Sequence, residues 1–164
     1  MLIPVAASLY EFILAIHIMA VVAAFGVTFA YPIMFMVAAK HQPNAIPVLH
    51  RIEYTLARML INPLLVVVVA AGVYLASDGH HWSEFFVQWG LGAVIVIGAV
   101  VGAVLIPASK KAEEVATRDL AAATGSEPVR MSAEYRALVR RLTVFGSLMS
   151  ALVLLTILFM AIQP

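Results

Sequence analysis

Cysteine is absent from the 164 residues. That excludes disulfides, thiolate metal sites and thiol catalysis, and it leaves the redox compartment unread. Charge is scarce too: 12% of residues are charged against 63% hydrophobic, where a soluble domain carries about a quarter charged residues. The opening stretch 1–11 holds no basic residue, so it lacks the basic start of a cleavable signal peptide, and the first apolar segment is expected to be retained. There is no Walker loop, no pair of intramembrane carboxylates, no Ser-His-Asp set and no nucleic-acid motif. The chain is expected to bind no nucleic acid, and it carries no visible equipment for soluble-style catalysis.

Long apolar runs take the place of these features. Mean hydropathy is +1.01, and runs at 12–39, 59–77, 85–109 and 142–162 account for it. Each is long enough to cross hydrocarbon, which takes about 20 helical residues. Membrane strands are only about 10 residues long and alternate apolar with polar positions, and no such alternation appears. The fold class expected is therefore an all-α membrane protein, a single four-helix transmembrane domain over 1–164. Its spans are expected at 8–39, at 45–77 with an interfacial start, at 83–123 with a charged cytoplasmic extension, and at 132–162. Pro32 is expected to bend the first helix, Pro107 need not end the third, and Gly125, Ser126, Glu127 and Pro128 break the chain before Ser132 caps the fourth. In the extension, Lys110, Glu114 and Arg118 follow one another at the four-residue spacing that pairs charges.

Orientation follows from where Lys and Arg stand. All 10 flank two connections: Lys40, Arg51 and Arg58 around the first, and Lys110, Lys111, Arg118, Arg130, Arg136, Arg140 and Arg141 around the third. The positive-inside rule then puts both termini outside the cytoplasm of a bacterial inner membrane. Arg51, Arg58, Arg136, Arg140 and Arg141 read as lipid-headgroup anchors, with a propionate as the other oxyanion that guanidinium fits. Tyr10, Trp82 and Trp89 suit the outer interfacial belt.

Residues seven apart share a helix face, so Tyr10, His17, Ala24, Thr28 and Tyr31 form one stripe. Arg136, Arg140, Thr143, Ser147 and Ser150 form another on the fourth helix, and both are expected to face the bundle interior because polar atoms in hydrocarbon seek partners. Gly98 and Gly102, with Gly92 and Ala99, are expected to let backbones pack closely.

His17 is the one ionisable side chain well inside a span, about two turns below the outer surface. Neutral imidazole serves as an axial ligand to haem b or as a ligand to copper; the alternative is a histidine bonded to a neighbouring helix. Glu11, His80 and His81, together with His17, supply oxygen and nitrogen donors suited to a metal near the outer end. A haem spanning His17 and His50 would have to cross much of the bilayer, which leaves Met19, Met34, Met149 or His80 as second ligands.

The segment Leu14-Ala15-Ile16-His17-Ile18-Met19-Ala20, followed by Phe25-Gly26 and by Arg51, Asn62-Pro63 and Gly72, resembles the DUF2269-like predicted bacterial integral membrane proteins. That group is distantly similar to the copper-resistance D (CopD) proteins and to the HemJ-type protoporphyrinogen oxidase. The resemblance implies that His17 is a haem ligand, or that copper is handled from the outer side through Glu11, His17, His80 and His81. The HemJ pattern has a tryptophan followed by lysine in the third helix, whereas Trp89 here is followed by Gly90, Leu91 and Gly92, which speaks against the oxidase activity. Two further readings stand beside cofactor binding: an accessory subunit packed against a larger membrane complex through Gly98 and Gly102, and a transporter-like homo-oligomer whose polar stripes line a path.

Overall fold

The computed structural model describes residues 8–123 and 130–163. Among them the regular structure is helical, and four helices are long and apolar enough to cross a membrane: α1 Leu9–His41, α2 Pro43–Asp78, α3 Phe85–Ala122 and α4 Ala133–Ile162. The chain is a multi-pass membrane protein by that criterion.

Helix α1 opens on a capping box. The Ser8 hydroxyl accepts the Glu11 N–H at 3.2 Å and the Glu11 carboxylate accepts the Ser8 N–H at 2.8 Å, which satisfies two of the orphan donors of the first turn. The irregularity expected at Pro32 lies just ahead of it, where the helix tightens into a 3-10 turn over Gly26–Phe29 before Tyr31–His41 resumes. A proline ring presses on the carbonyl four residues back, here that of Thr28, so the preceding turn absorbs the strain.

Pro63 and Pro107, deep inside α2 and α3, are handled in one way. In α2 a π turn, Ala57–Ile61, precedes Asn62-Pro63, and in α3 a π turn, Val101–Leu105, precedes Ile106-Pro107. The N–H of Asn62 reaches the Ala57 carbonyl and that of Ile106 reaches the Val101 carbonyl, each five residues back. Widening by one residue relieves the clash that would otherwise cost about 3 kcal/mol in a regular helix. Both helices therefore continue past their prolines. At 38 residues, α3 is about 57 Å long at the helical rise, nearly twice the roughly 30 Å of a hydrocarbon core, so its charged stretch after Pro107 projects beyond the bilayer.

Helix α4 starts at Ser132, whose hydroxyl accepts the Tyr135 N–H at 3.2 Å. The Ser132 N–H in turn donates to the Asp119 carboxylate at 2.8 Å, tying α4 to the charged end of α3. The Ser132 hydroxyl and its N–H hold the Asp119 carboxyl below the usual carboxylate range. Arg118 bridges Asp119 and Glu134, each at 3.1 Å. Lys111, rather than Lys110, pairs with Glu114, at 3.3 Å and three residues apart. The break expected at Gly125, Ser126, Glu127 and Pro128 lies outside the described residues.

Helix α1 packs along the apolar half of α2, the first part of α2 packs along the charged half of α3, and α3 packs along α4 throughout. Two cores result. One, at the end carrying Lys and Arg, gathers Ile46, Ala112, Val115, Ala116, Tyr135 and Leu142; the other, mid-bundle, gathers Ile61, Leu65, Ile97, Val101 and Val153.

Two expectations about faces are corrected. A Cβ added at Gly98 or Gly102 meets nothing within 4 Å, and Gly92 is equally open. The inward face of α3 runs through Ala93, Ile97 and Val101, each 7% exposed or less, and Gly98 and Gly102 sit one position further round. Close packing at glycine occurs instead at Gly90, where a Cβ would collide with Met160, and at Gly72 against His17. On α4, Arg136, Arg140, Thr143 and Ser147 are exposed, while Tyr135, Leu142 and Val153 are buried. Helical Ser and Thr hydroxyls can return to the carbonyl one turn back, as Ser77 does to Val73 and Thr156 to Leu152, so they do not compel their face inward. The stripe of α1 does face inward: Ala24 is fully buried, Tyr10 and His17 line a cavity, and the Tyr31 hydroxyl is buried.

Candidate functional site: an apolar cavity at His17

A cavity of about 450 Å³ lies between the four helices toward the end bearing the 79–84 turn. Its walls are almost wholly apolar, formed by Leu14, Val21, Leu65, Val69, Val94 and Ile157 among others, with His17, Tyr10, His81, Trp82, Thr156 and Gln163 as the polar residues. The volume falls in the range of small-molecule sites, about 300–1,000 Å³.

The helices hold the His17 imidazole in a defined state. Its Nδ1 lies 3.0 Å from the carbonyl oxygen of Val68 on α2. A carbonyl can only accept, so Nδ1 carries the proton and neutral imidazole keeps its lone pair on Nε2. Gly72, one turn after Val68, makes the approach feasible: a Cβ there would stand 3.4 Å from His17 Cε1 and 3.7 Å from Nδ1, and any longer side chain would take the imidazole's place. The Nε2 atom has no hydrogen-bond partner among the described residues, where the one sealed, unpartnered side-chain polar atom is the Tyr31 hydroxyl. His17 is half-buried and lines the cavity. An Nδ1–H donated to a backbone carbonyl, with Nε2 left free, is the arrangement that orients metal-ligating histidines.

The other metal donors named from sequence divide. His81 lines the same cavity, its ring over Gly79 and against Phe86 with centroids 6.0 Å apart. His80 takes a positive φ of 57° and donates Nδ1–H to the Asp78 carbonyl at 3.2 Å, and Glu11 is engaged in the cap of α1; neither lines the cavity. Among the described residues no three His, Cys, Asp or Glu side chains converge to hold a metal ion. None of the second haem ligands considered, Met19, Met34, Met149 or His80, lines the cavity, although Met160 does. His50 stacks on Phe35, with ring centroids 4.5 Å apart; Phe35 lies eighteen positions beyond His17 on α1, roughly 27 Å by the helical rise. A single haem between His17 and His50 is therefore excluded by geometry.

Trp89, placed in the interfacial belt from sequence, donates its indole N–H to the Thr156 hydroxyl at 3.1 Å and packs edge-on to Phe159 at 5.0 Å, joining α3 to α4 beside the cavity that Thr156 lines. Trp82 stays 45% exposed, as a belt residue would. Arg51 binds Glu113 at 2.7 Å, and Arg58, Arg136, Arg140 and Arg141 are exposed at the basic end, none on the cavity wall. Sequence reasoning missed the roles of Val68, Gly90 and Thr156. Glycines that admit a neighbour look like any other small residue until the neighbour is known, and a backbone carbonyl has no residue type. No family model, curated protein or solved structure matches the chain.

Proposed function

We propose that the chain is a haem-binding protein of the bacterial cytoplasmic membrane, with both termini outside the cytoplasm and His17 as the axial ligand of haem b. The observation that carries this reading is the 3.0 Å approach of His17 Nδ1 to the Val68 carbonyl, which leaves Nε2 as the unprotonated nitrogen of a side chain lining an apolar cavity of about 450 Å³. Haem needs one histidine and apolar walls for its macrocycle, and both are present here. When bound, the group would supply redox chemistry at iron. The protein's own residues set the ligand's orientation through Val68 and Gly72, exclude water with Leu65, Val94 and Ile157, and offer Tyr10, Thr156 and Gln163 as the polar groups on the walls. Copper fits less well, because a copper site draws on several nitrogen, sulfur or oxygen donors and only His17 and His81 of the donor set named above share the cavity.

The open space beside Gly92, Gly98 and Gly102 supports the second reading, an accessory subunit whose third helix another helix can approach closely. The exposed stripe of Thr143 and Ser147 could equally meet a second copy in a homo-oligomer.

The deciding experiment is an absorption spectrum of the detergent-purified protein, with metal analysis by mass spectrometry, on the native chain and on His17→Ala. A Soret band present in the native protein and lost in the variant is the expected result. Stoichiometric copper without a Soret band would replace haem by copper. A colourless, metal-free and folded preparation of both forms would overturn the cofactor reading and favour the accessory subunit, which co-purification with unrelated chains would then reveal.

A further inference from the structure

At the basic end of the bundle, far from the cavity, all four helices meet in a polar cluster that the His17 site does not use. His50 on α2 is 2% exposed, the largest of the fully buried side chains. Its Nδ1 lies 3.3 Å from Glu53 Oε2 and its Nε2 lies 3.1 Å from the Tyr135 hydroxyl of α4. Ser109 of α3, 1% exposed, donates its hydroxyl to the same Glu53 oxygen at 2.8 Å. From α1, Phe35 stacks on the imidazole, and Tyr31, one turn earlier on that face, buries a hydroxyl that has no partner among the described residues.

The charges do not balance without a proton. Among the described residues His50 is the ion-pair partner of Glu53, and no lysine or arginine is. Arg51, two residues away, turns outward to Glu113. Glu53 is 19% exposed, and a carboxylate so far removed from water with no fixed cation calls for a counter-charge. The polar groups around His50 are Glu53 on α2 and Tyr135 from α4, which bond it, and Ser109 from α3, which bonds Glu53, with the Glu113–Arg51 pair one turn on and Tyr31 on the packed face of α1. Among the described residues Glu53 is the one acidic group bonded to it.

We infer that His50 and Glu53 form a proton-binding site whose occupancy is transmitted to helix α4 through Tyr135. With His50 neutral, Nδ1–H donates to Glu53 and Nε2 accepts the Tyr135 O–H. A proton arriving from water goes to Nε2 and makes an imidazolium that neutralises Glu53. Nε2–H then donates to the tyrosine oxygen, and the tyrosine hydrogen loses the acceptor it had. The Tyr135 hydroxyl has no other hydrogen-bond partner among the described residues, so proton binding strengthens the contact within α2 while reversing the tie to α4. The site is independent of whether haem binds at His17.

The test is a pH titration of the full chain in nanodiscs, followed by nitrogen-15 shifts of labelled histidines, with the exposed His41 and His80 as internal references. Glu53→Gln is expected to move the His50 titration to lower pH by at least one unit, a tenfold loss of proton affinity, and to leave the references unmoved. Ser109→Ala, which frees the Glu53 oxygen for His50, is expected to move it the other way. Binding of no proton by His50 between about pH 5 and 9 would overturn the site, as would an unaltered titration in Ser109→Ala together with an unaltered titration or failed folding in Glu53→Gln. The link to α4 has its own readout: a spin label at Ala137→Cys should change mobility over the His50 titration, and should not in Tyr135→Phe. A label blind to that titration in the native background would overturn the coupling.

Discussion

At Gly72 a side chain longer than alanine would occupy the place of the His17 imidazole, and this single absence lets a histidine on α1 reach a carbonyl on α2. The consequence is graded. Gly72→Ala adds a Cβ at ordinary contact, 3.4 Å from Cε1, and should leave haem affinity within a few-fold of native. Gly72→Leu should break the Nδ1–Val68 bond, release the tautomer and lower haem affinity by about 10- to 100-fold, the usual cost of losing the group that orients a ligating histidine. Haem titration followed at the Soret band, with nitrogen-15 shifts of His17, distinguishes the two variants; equal behaviour would show that Gly72 does not position the ligand. His17 itself was legible in the sequence, because an ionisable group within an apolar run stands out. Its partner was not: Val68 lies 51 residues away and acts through a backbone atom that every residue possesses.

Among the helices, the apolar runs were legible and their faces were not. Hydropathy marks a helix that is apolar all round without saying which side meets its neighbours. Gly98 and Gly102 carry the small-residue spacing that suggests packing, yet Ala93, Ile97 and Val101 form the contact face of α3. The two faces make opposite predictions in detergent unfolding. Gly98→Leu should change stability by less than about 0.5 kcal/mol, as for other surface substitutions. Gly90→Leu, which must displace Met160, should cost about 1–3 kcal/mol by overpacking. A destabilised Gly98→Leu monomer would place that face inside the bundle. The prolines tell a similar story: Pro63 and Pro107 are plain in the sequence, whereas the π turns that carry α2 and α3 past them are relations between backbone atoms five residues apart.

For the whole molecule, the gathering of all 10 Lys and Arg residues around two connections argues for one orientation, and the absence of native cysteine makes it easy to test. In intact cells, an impermeant thiol reagent should label His80→Cys, at the turn between α2 and α3, and should spare Ala122→Cys, at the charged end of α3, until the membrane is opened. Labelling of Ala122→Cys alone in intact cells would invert the topology. The same polarity divides the chemistry: an apolar cavity lined by His17 and His81 lies toward the end free of Lys and Arg, and a buried histidine–carboxylate–tyrosine cluster lies toward the basic end. Composition and hydropathy by themselves determined that four helices are long and apolar enough to cross a membrane, where the charged extension of α3 begins, and that His17 is exceptional, because these follow from the cost of moving side chains and backbone out of water, residue by residue. Only the tertiary structure decided that Val68 and Gly72 orient His17, that α4 turns its hydroxyl stripe outward, and that His50 and Tyr135, 85 residues apart, share a hydrogen bond. Those outcomes depend on which faces meet, and in a chain this uniformly apolar the meeting is settled by shape and by a few hydrogen bonds between distant residues.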